Sequence, residues 1–218
     1  MLICESCHSG CCRKYAVALT GYDILNISKT LKIDPLSFAE ISPVENDENI
    51  EYQSKYTALF KFTDENKDIF YRFNLKMNES ELVPGTLKCQ FLLEQYSDPS
   101  NLCIEGIVGR CEIYSCRPFV CAAYPAIFDA TEKQGVIKNV GAKSKSSEHP
   151  IYNLCSRKIT SEDFADSLDQ IMKALIMRKY ELEYFKNLAD YWNQKPGSLN
   201  DFLSFMATVY QNRVILEE

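Results

Sequence analysis

Residues 4–12 read CESCHSGCC, so Cys4, Cys7, Cys11 and Cys12 place four thiols in nine residues, with His8 among them. Three chemistries use such a cluster: a disulfide knot, a nucleophilic thiol, or one wall of a metal site whose other ligands lie further along the chain. Length separates the first from the rest. A chain of 218 residues buries a real core without cross-links, which removes the usual reason for a disulfide scaffold. The ten cysteines are about twice an average share, while a hydrophobic content of 46% and a charged content of 25% are ordinary for a soluble protein. The excess is specific to cysteine. Met1 is followed by neither a basic nor an apolar leader, and no stretch is long enough to span a bilayer, so a cytoplasmic protein with no membrane partner is expected. Clustered thiols in a reducing compartment point to metal binding or catalysis. A net charge of −6 argues against nucleic acid as a partner, because no basic excess exists to displace phosphate counterions.

Working outward, KYAVALTGYDILNISKTLKI turns helical where Thr20 and Asp23 form a capping box ahead of Ile24, Ile27 and Leu31, predicting a helix over roughly 21–32. DPLSFAEI predicts a short second helix, with Asp34 as N-cap and Pro35 at its first position. The acidic SPVENDENIEYQS reads as a loop, and KYTALFKF with DIFYRFNLKM as an aromatic hairpin. TLKCQFLLE is a third strand carrying Cys89, and AIFDA with GVIKNVGA makes one more hairpin. From Thr160 the character changes. Apolar residues fall at 164, 168, 171, 175, 182, 185, 189 and 192, interrupted only by Arg178, with no Gly or Pro before Pro196. One long helix with a Ser cap is expected, then a stop at Pro196-Gly197 and a shorter helix capped by Ser198.

The expected fold is therefore α+β: a small antiparallel sheet and short helices around a cysteine-rich metal site, followed by a C-terminal helical hairpin. Residues 1–158 form the cysteine-cluster domain and residues 159–218 the hairpin packed on it. The hairpin's plain role is that packing; its sharper role is docking a protein partner or a second copy.

Metal sites take thiolates in pairs from tight turns, since two or three intervening residues let both sulfurs face one ion. Cys4-x2-Cys7 and Cys7-x3-Cys11 meet that condition, Gly10 suits the turn, and His8 offers a nitrogen. Adjacent Cys11 and Cys12 would point opposite ways in an extended chain, which favours two centres or a multinuclear cluster if both are ligands. A second group carries Cys89, Cys103, Cys111, Cys116 and Cys121, with Cys155 later. Cys103 and Cys116 read best as buried small hydrophobes. Arg13, Lys14 and Arg110 lie beside thiols and would lower their pKa values. Arg117 has two readings of equal weight: a cofactor-binding role, balancing thiolate charge around the site or holding a carboxylate or phosphate of a ligand, or a salt bridge at a turn. Tyr114 and Tyr124 read as core.

The Cys-x2-Cys-x3-Cys-Cys opening followed by LTGYDI, then CQFL, GRCEIYSCRPFVCAAYP and the last cysteine in YNLC, resembles the YkgJ-type cysteine-cluster family of zinc- or iron-chelating proteins. The resemblance spans roughly residues 1–155 and is most specific from Gly109 to Pro125. Matched residue by residue, it implies Cys4, Cys7, Cys11, Cys12, Cys89, Cys111, Cys121 and Cys155 as metal ligands. Two departures are a spacing of two, three and none where two, two and none is commoner, and an insertion containing Cys103 between Cys89 and Cys111. Over its cysteine core the family is similar to a flagellin lysine N-methylase, for which an iron-sulfur centre is implied.

Zinc closes a tetrahedron with four ligands, so eight thiolates make two sites; an iron-sulfur cluster takes three or four cysteines and leaves the others structural. The leading expectation is a metal-binding protein holding an iron-sulfur cluster, with zinc as the alternative, in a redox or metal-transfer role. A protein-modifying enzyme and a zinc-stabilised interaction module are the other classes. Against the enzyme, no glycine-rich nucleotide loop follows any strand.

Overall fold

A computed structural model of the protein describes residues 7–44, 47–66, 68–97, 104, 106–128, 134–138, 149–155 and 159–215. In chain order the helices and strands are α1 (Cys11–Lys14), α2 (Gly21–Leu31), α3 (Pro35–Phe38), β1 (Ala39–Val44), α4 (Asp47–Ser54), β2 (Phe70–Leu75), β3 (Met77–Glu79), β4 (Leu87–Cys89), β5 (Leu92–Tyr96), β6 (Ile107–Cys111), α5 (Phe119–Ala123), β7 (Ala126–Phe128), β8 (Gly135–Ile137), α6 (Leu168–Trp192) and α7 (Leu199–Ile215). Single 3-10 turns occupy Tyr114–Cys116 and Pro150–Tyr152, and a seven-residue 3-10 helix occupies Ser161–Ser167. Among the described residues the strands pair as four two-stranded antiparallel sheets, β1 with β2, β3 with β4, β5 with β6 and β7 with β8, so the fold is α+β. Among the described residues no helix is long and apolar enough to cross a membrane.

The chain divides into two compact units, each built from separated stretches: Met1–Val17 with Lys76–Ile176, and Ala18–Leu75 with Met177–Glu218. In the first unit, β7, α5 and the start of α6 bury Ala123, Ala126, Leu154, Phe164, Ile171 and Leu175 in one apolar cluster, on whose edge Cys11 and Cys155 pack. The β3–β4 ladder places Met77 opposite Cys89, and the β5–β6 ladder places Leu92 opposite Cys111. Cys89 thus ends β4 and Cys111 ends β6.

The second unit has an aromatic core. Phe60, Phe62, Phe73, Phe185 and Phe202 are all fully buried, and the Phe60 ring lies 4.5 Å from that of Phe202 and 4.9 Å from that of Phe185. The C-terminal helices run antiparallel here, since Glu181 pairs with Arg213 and Trp192 meets Phe202. The Asn193 side chain closes the bend: its Nδ2 donates to the Leu59 carbonyl at 2.8 Å, and its Oδ1 accepts the Lys61 N–H at 2.8 Å. The predicted helical hairpin is therefore present over these residues.

Several local expectations are confirmed with their physical cause. Thr20 and Asp23 form the capping box of α2, Asp34 caps α3 with Pro35 behind it, and β7 pairs with β8. Others are corrected. The second helix is a single turn, and its tail becomes β1, because Ala39–Val44 finds a ladder partner in Phe70–Leu75. KYTALFKF joins that sheet only through a bridge between Phe60 and Tyr71. The acidic stretch is not all loop, since Asp47–Ser54 is helical. TLKCQFLLE is two strands broken after Cys89, where the Gln90 N–H turns to the Lys76 carbonyl at 3.1 Å. The long helix begins as a 3-10 turn capped by Thr160, whose partner is Asp163, rather than by a serine.

Candidate metal centre

Cys7, Cys11 and Cys12 reach the site on the segment that enters α1. Its course is fixed against β6, where the Gly109 N–H donates to the Cys7 carbonyl at 3.0 Å and Ser9 Oγ donates to the Gly109 carbonyl at 2.9 Å. A Cβ on Gly109 would lie 2.7 Å from Ser9 Oγ, so glycine is what permits the approach. A Cβ on Gly10 would fall 1.8 Å from the Asn153 carbonyl oxygen, which requires glycine there too. These backbone contacts join thiols about a hundred positions apart, and they carry no cysteine signature in the sequence.

The adjacent pair is corrected by α1. Cys11 and Cys12 lie in a helical turn rather than an extended chain, and their sulfurs are 4.0 Å apart. With metal–sulfur bonds near 2.3 Å, a tetrahedral ion holds its sulfurs about 3.8 Å apart, so this pair suits one metal. An ionised Cys11 would raise the thiols of Cys7, Cys89 and Cys111, and Cys12 in turn raises Cys11. Cys11 and Cys155 both act on the Tyr15 hydroxyl, which burial raises first and they raise further. Cys121 lies in α5, whose Ala122 and Ala123 belong to the cluster on which Cys11 and Cys155 pack. Cys4 and Cys103 lie outside the described residues. Cys116 is buried, as expected of a small hydrophobe. Among the described residues no three His, Cys, Asp or Glu side chains close on a single point tightly enough to enclose one ion.

Basic neighbours do not bring Cys7, Cys11, Cys89 or Cys111 below the ordinary thiol value, contrary to the expectation from sequence. Burial pushes Cys89 up to about 11, with Cys111 and Cys11 adding to it against an opposing backbone donor at Phe91. Cys7 and Cys111 are also raised, chiefly by burial. The Cys11 thiol is raised well above its ordinary value by its contact with Cys12 and by burial. Arg13 cannot help, because its guanidinium is wholly buried in an ion pair with Glu94. Glu94 also takes Lys88 Nζ at 2.9 Å and Ser80 Oγ at 2.7 Å. Lys88 and Arg117 do favour the Cys89 and Cys111 thiolates, but burial outweighs them. Crowded, buried thiols resist ionising together, and a bound cation would relieve that repulsion. The donor set therefore fits a soft metal.

Arg117 has one interaction in line with its charge-balancing reading, and its other contact is with an aromatic ring. It acts on Cys111, and its guanidinium lies 4.1 Å above the Tyr114 ring. Tyr114 itself is more than half exposed, so it is not core. Tyr124 packs at the edge of the apolar cluster. Sequence reading missed Glu94, Lys88 and Asn153; an acid inside the apolar run LLEQY was the available signal for the first.

Compared with curated proteins and with solved structures, the chain shows no match. A family model of a zinc- or iron-chelating domain, CxxCxxCC, matches residues 3–147. That span takes in every nominated cysteine except Cys155, and it covers well over half of the 218 residues. The chain belongs to the CxxCxxCC family of zinc- or iron-chelating domains.

Proposed function

We propose that the first unit holds an iron-sulfur centre through its cysteines and that the centre serves a redox role. The observation that carries this reading is the pair of sulfurs at Cys11 and Cys12, 4.0 Å apart on α1, in a unit whose soft thiol donors suit sulfur-ligated iron. Cys7, Cys89, Cys111, Cys121 and Cys155 complete the described part of the ligand set implied by the family resemblance. When bound, such a centre supplies one-electron chemistry.

The chain's own residues set the conditions for it. Backbone N–H groups of Ser9, Phe91 and Ile113 donate to the sulfurs of Cys7, Cys89 and Cys111, a contact that stabilises thiolate and tunes the potential of a sulfur-bound metal. Arg13 and Lys88 bring two positive charges against the single negative charge of Glu94. Lys88 favours the Cys89 thiolate and Arg117 the Cys111 thiolate, each against the burial that opposes it. Anaerobic purification tests the reading. A brown protein with a band at about 400 nm that bleaches with dithionite supports it, and a colourless protein holding zinc contradicts it.

A further inference from the structure

His8 is fully buried beside the first described thiol. Its Nε2 lies 2.5 Å from the carbonyl oxygen of Asn153. A carbonyl oxygen only accepts, so Nε2 carries the hydrogen, and the neutral ring keeps its lone pair on Nδ1. Among the described residues the polar contact of Nδ1 is the Cys7 sulfur at 3.9 Å. A metal bound to sulfur at about 2.3 Å and to nitrogen at about 2.1 Å holds the two donors about 3.6 Å apart at a tetrahedral angle. The observed pair comes within a few tenths of an ångström of that spacing.

The ring is held in this pose from several sides. Gly10 leaves room for the Asn153 carbonyl to reach Nε2, since a Cβ there would lie 2.8 Å from that nitrogen. The buried Arg13 donates its Nε to the His8 carbonyl at 3.3 Å, fixing the backbone below the ring. Metal-bound histidines ordinarily donate their second ring N–H to a carbonyl or carboxylate, which fixes tautomer and orientation. Asn153 supplies that carbonyl. The Cys7 sulfur accepts the Ser9 N–H at 3.4 Å, as a metal-bound thiolate does.

We propose that His8 is a ligand of the centre through Nδ1, paired with Cys7, so that the site is a mixed cysteine–histidine one; this rests on the metal-chelating reading of the cysteine cluster. A neutral imidazole in place of a thiolate removes one negative charge from the centre and moves its potential upward. A weak hydrogen bond from the Cys7 thiol to Nδ1 would give the same spacing with no metal involved, and spectroscopy separates the two.

The test is pulsed EPR on the anaerobically purified, reduced full-length chain, with natural-abundance and 15N-labelled histidine. His8→Gln is run beside the wild type, since Gln keeps an N–H for Asn153 and lacks Nδ1. The only other histidine, His149, has its Nδ1 accepting the Ile151 N–H. The expected result is a directly bound nitrogen coupling in wild type that changes on 15N-histidine labelling and is lost in His8→Gln. The labelling comparison stands even where the variant does not fold. An iron-loaded wild type without such a coupling overturns the proposal and leaves the iron-sulfur reading intact. If the metal is zinc, that reading falls, and X-ray absorption at the zinc edge decides instead: a nitrogen neighbour lost in His8→Gln supports His8, and an all-sulfur shell overturns it. A chain that binds no metal overturns both.

Discussion

The sulfurs of Cys11 and Cys12 lie 4.0 Å apart on the first turn of α1. A helical turn rotates neighbouring side chains by about 100° rather than placing them on opposite sides. Both sulfurs therefore face one region, and an ionised Cys11 would raise the thiols of Cys7, Cys89 and Cys111 as well.

Cys11→Ser and Cys12→Ser are each expected to lose most of the bound metal, while Cys116→Ser, at a buried position in a 3-10 turn, keeps it. Elemental analysis of the three variants, purified anaerobically, checks this. Equal retention in all three would place the metal elsewhere.

Glu94→Gln should destabilise the protein by about 3–5 kcal/mol, because it removes the counter-charge of the wholly buried Arg13 and of Lys88. Those cations flank Cys12 and Cys89 in the sequence, so metal content should fall with stability. Urea unfolding measures the first effect and elemental analysis the second.

Acid should reveal the same network. Burial alone would raise the Glu94 carboxyl, but the hydrogen bonds from Ser80, Lys88 and Arg13 outweigh it and bring it to about 2 from an ordinary 4.5. A carboxyl depressed on folding stabilises fully above its ordinary value and loses that contribution as pH falls through its folded value. Stability of the wild type should thus decline from pH 4.5 toward pH 2, and Glu94→Gln should flatten that part of the curve. An unchanged slope in the variant would remove Glu94 as its source.

Gly109→Ala tests the junction between the two cysteine groups. The added methyl would meet Ser9 Oγ at 2.7 Å and Leu92 Cδ1 at 2.8 Å, an overpacking that costs about 1–3 kcal/mol. Thermal unfolding should register the loss, and metal content should drop because the Cys7 segment is pushed off β6.

Phe202→Ala probes the second unit. Phe202 is fully buried among Phe60, Phe62, Phe73, Phe185 and Trp192, and its truncation should cost about 3–5 kcal/mol in chemical unfolding.

What the sequence made legible was local chemistry. The Thr20–Asp23 box, the Asp34-Pro35 start and the Pro196-Gly197 break each act within a few residues, so α2, α3 and the helical hairpin could be read directly. The partner of Phe70–Leu75 could not be. Ala39–Val44 shows no clean alternation of buried and exposed residues, and only the ladder it forms with β2 makes it a strand. At the site, cysteine spacing identified the thiols, but the contacts that assemble them belong to Ser9, Gly109, Glu94 and Asn153. Those are backbone approaches and buried charge pairs across distant sequence, which no spacing rule encodes. The basic residues beside the thiols misled for the same reason, since the buried Arg13 is paired with Glu94.

The most direct measurement is the iron, zinc and acid-labile sulfide content of the anaerobically purified full-length protein. Iron and sulfide in matching amounts, with little zinc, is the predicted result. Stoichiometric zinc without sulfide would contradict the iron-sulfur centre.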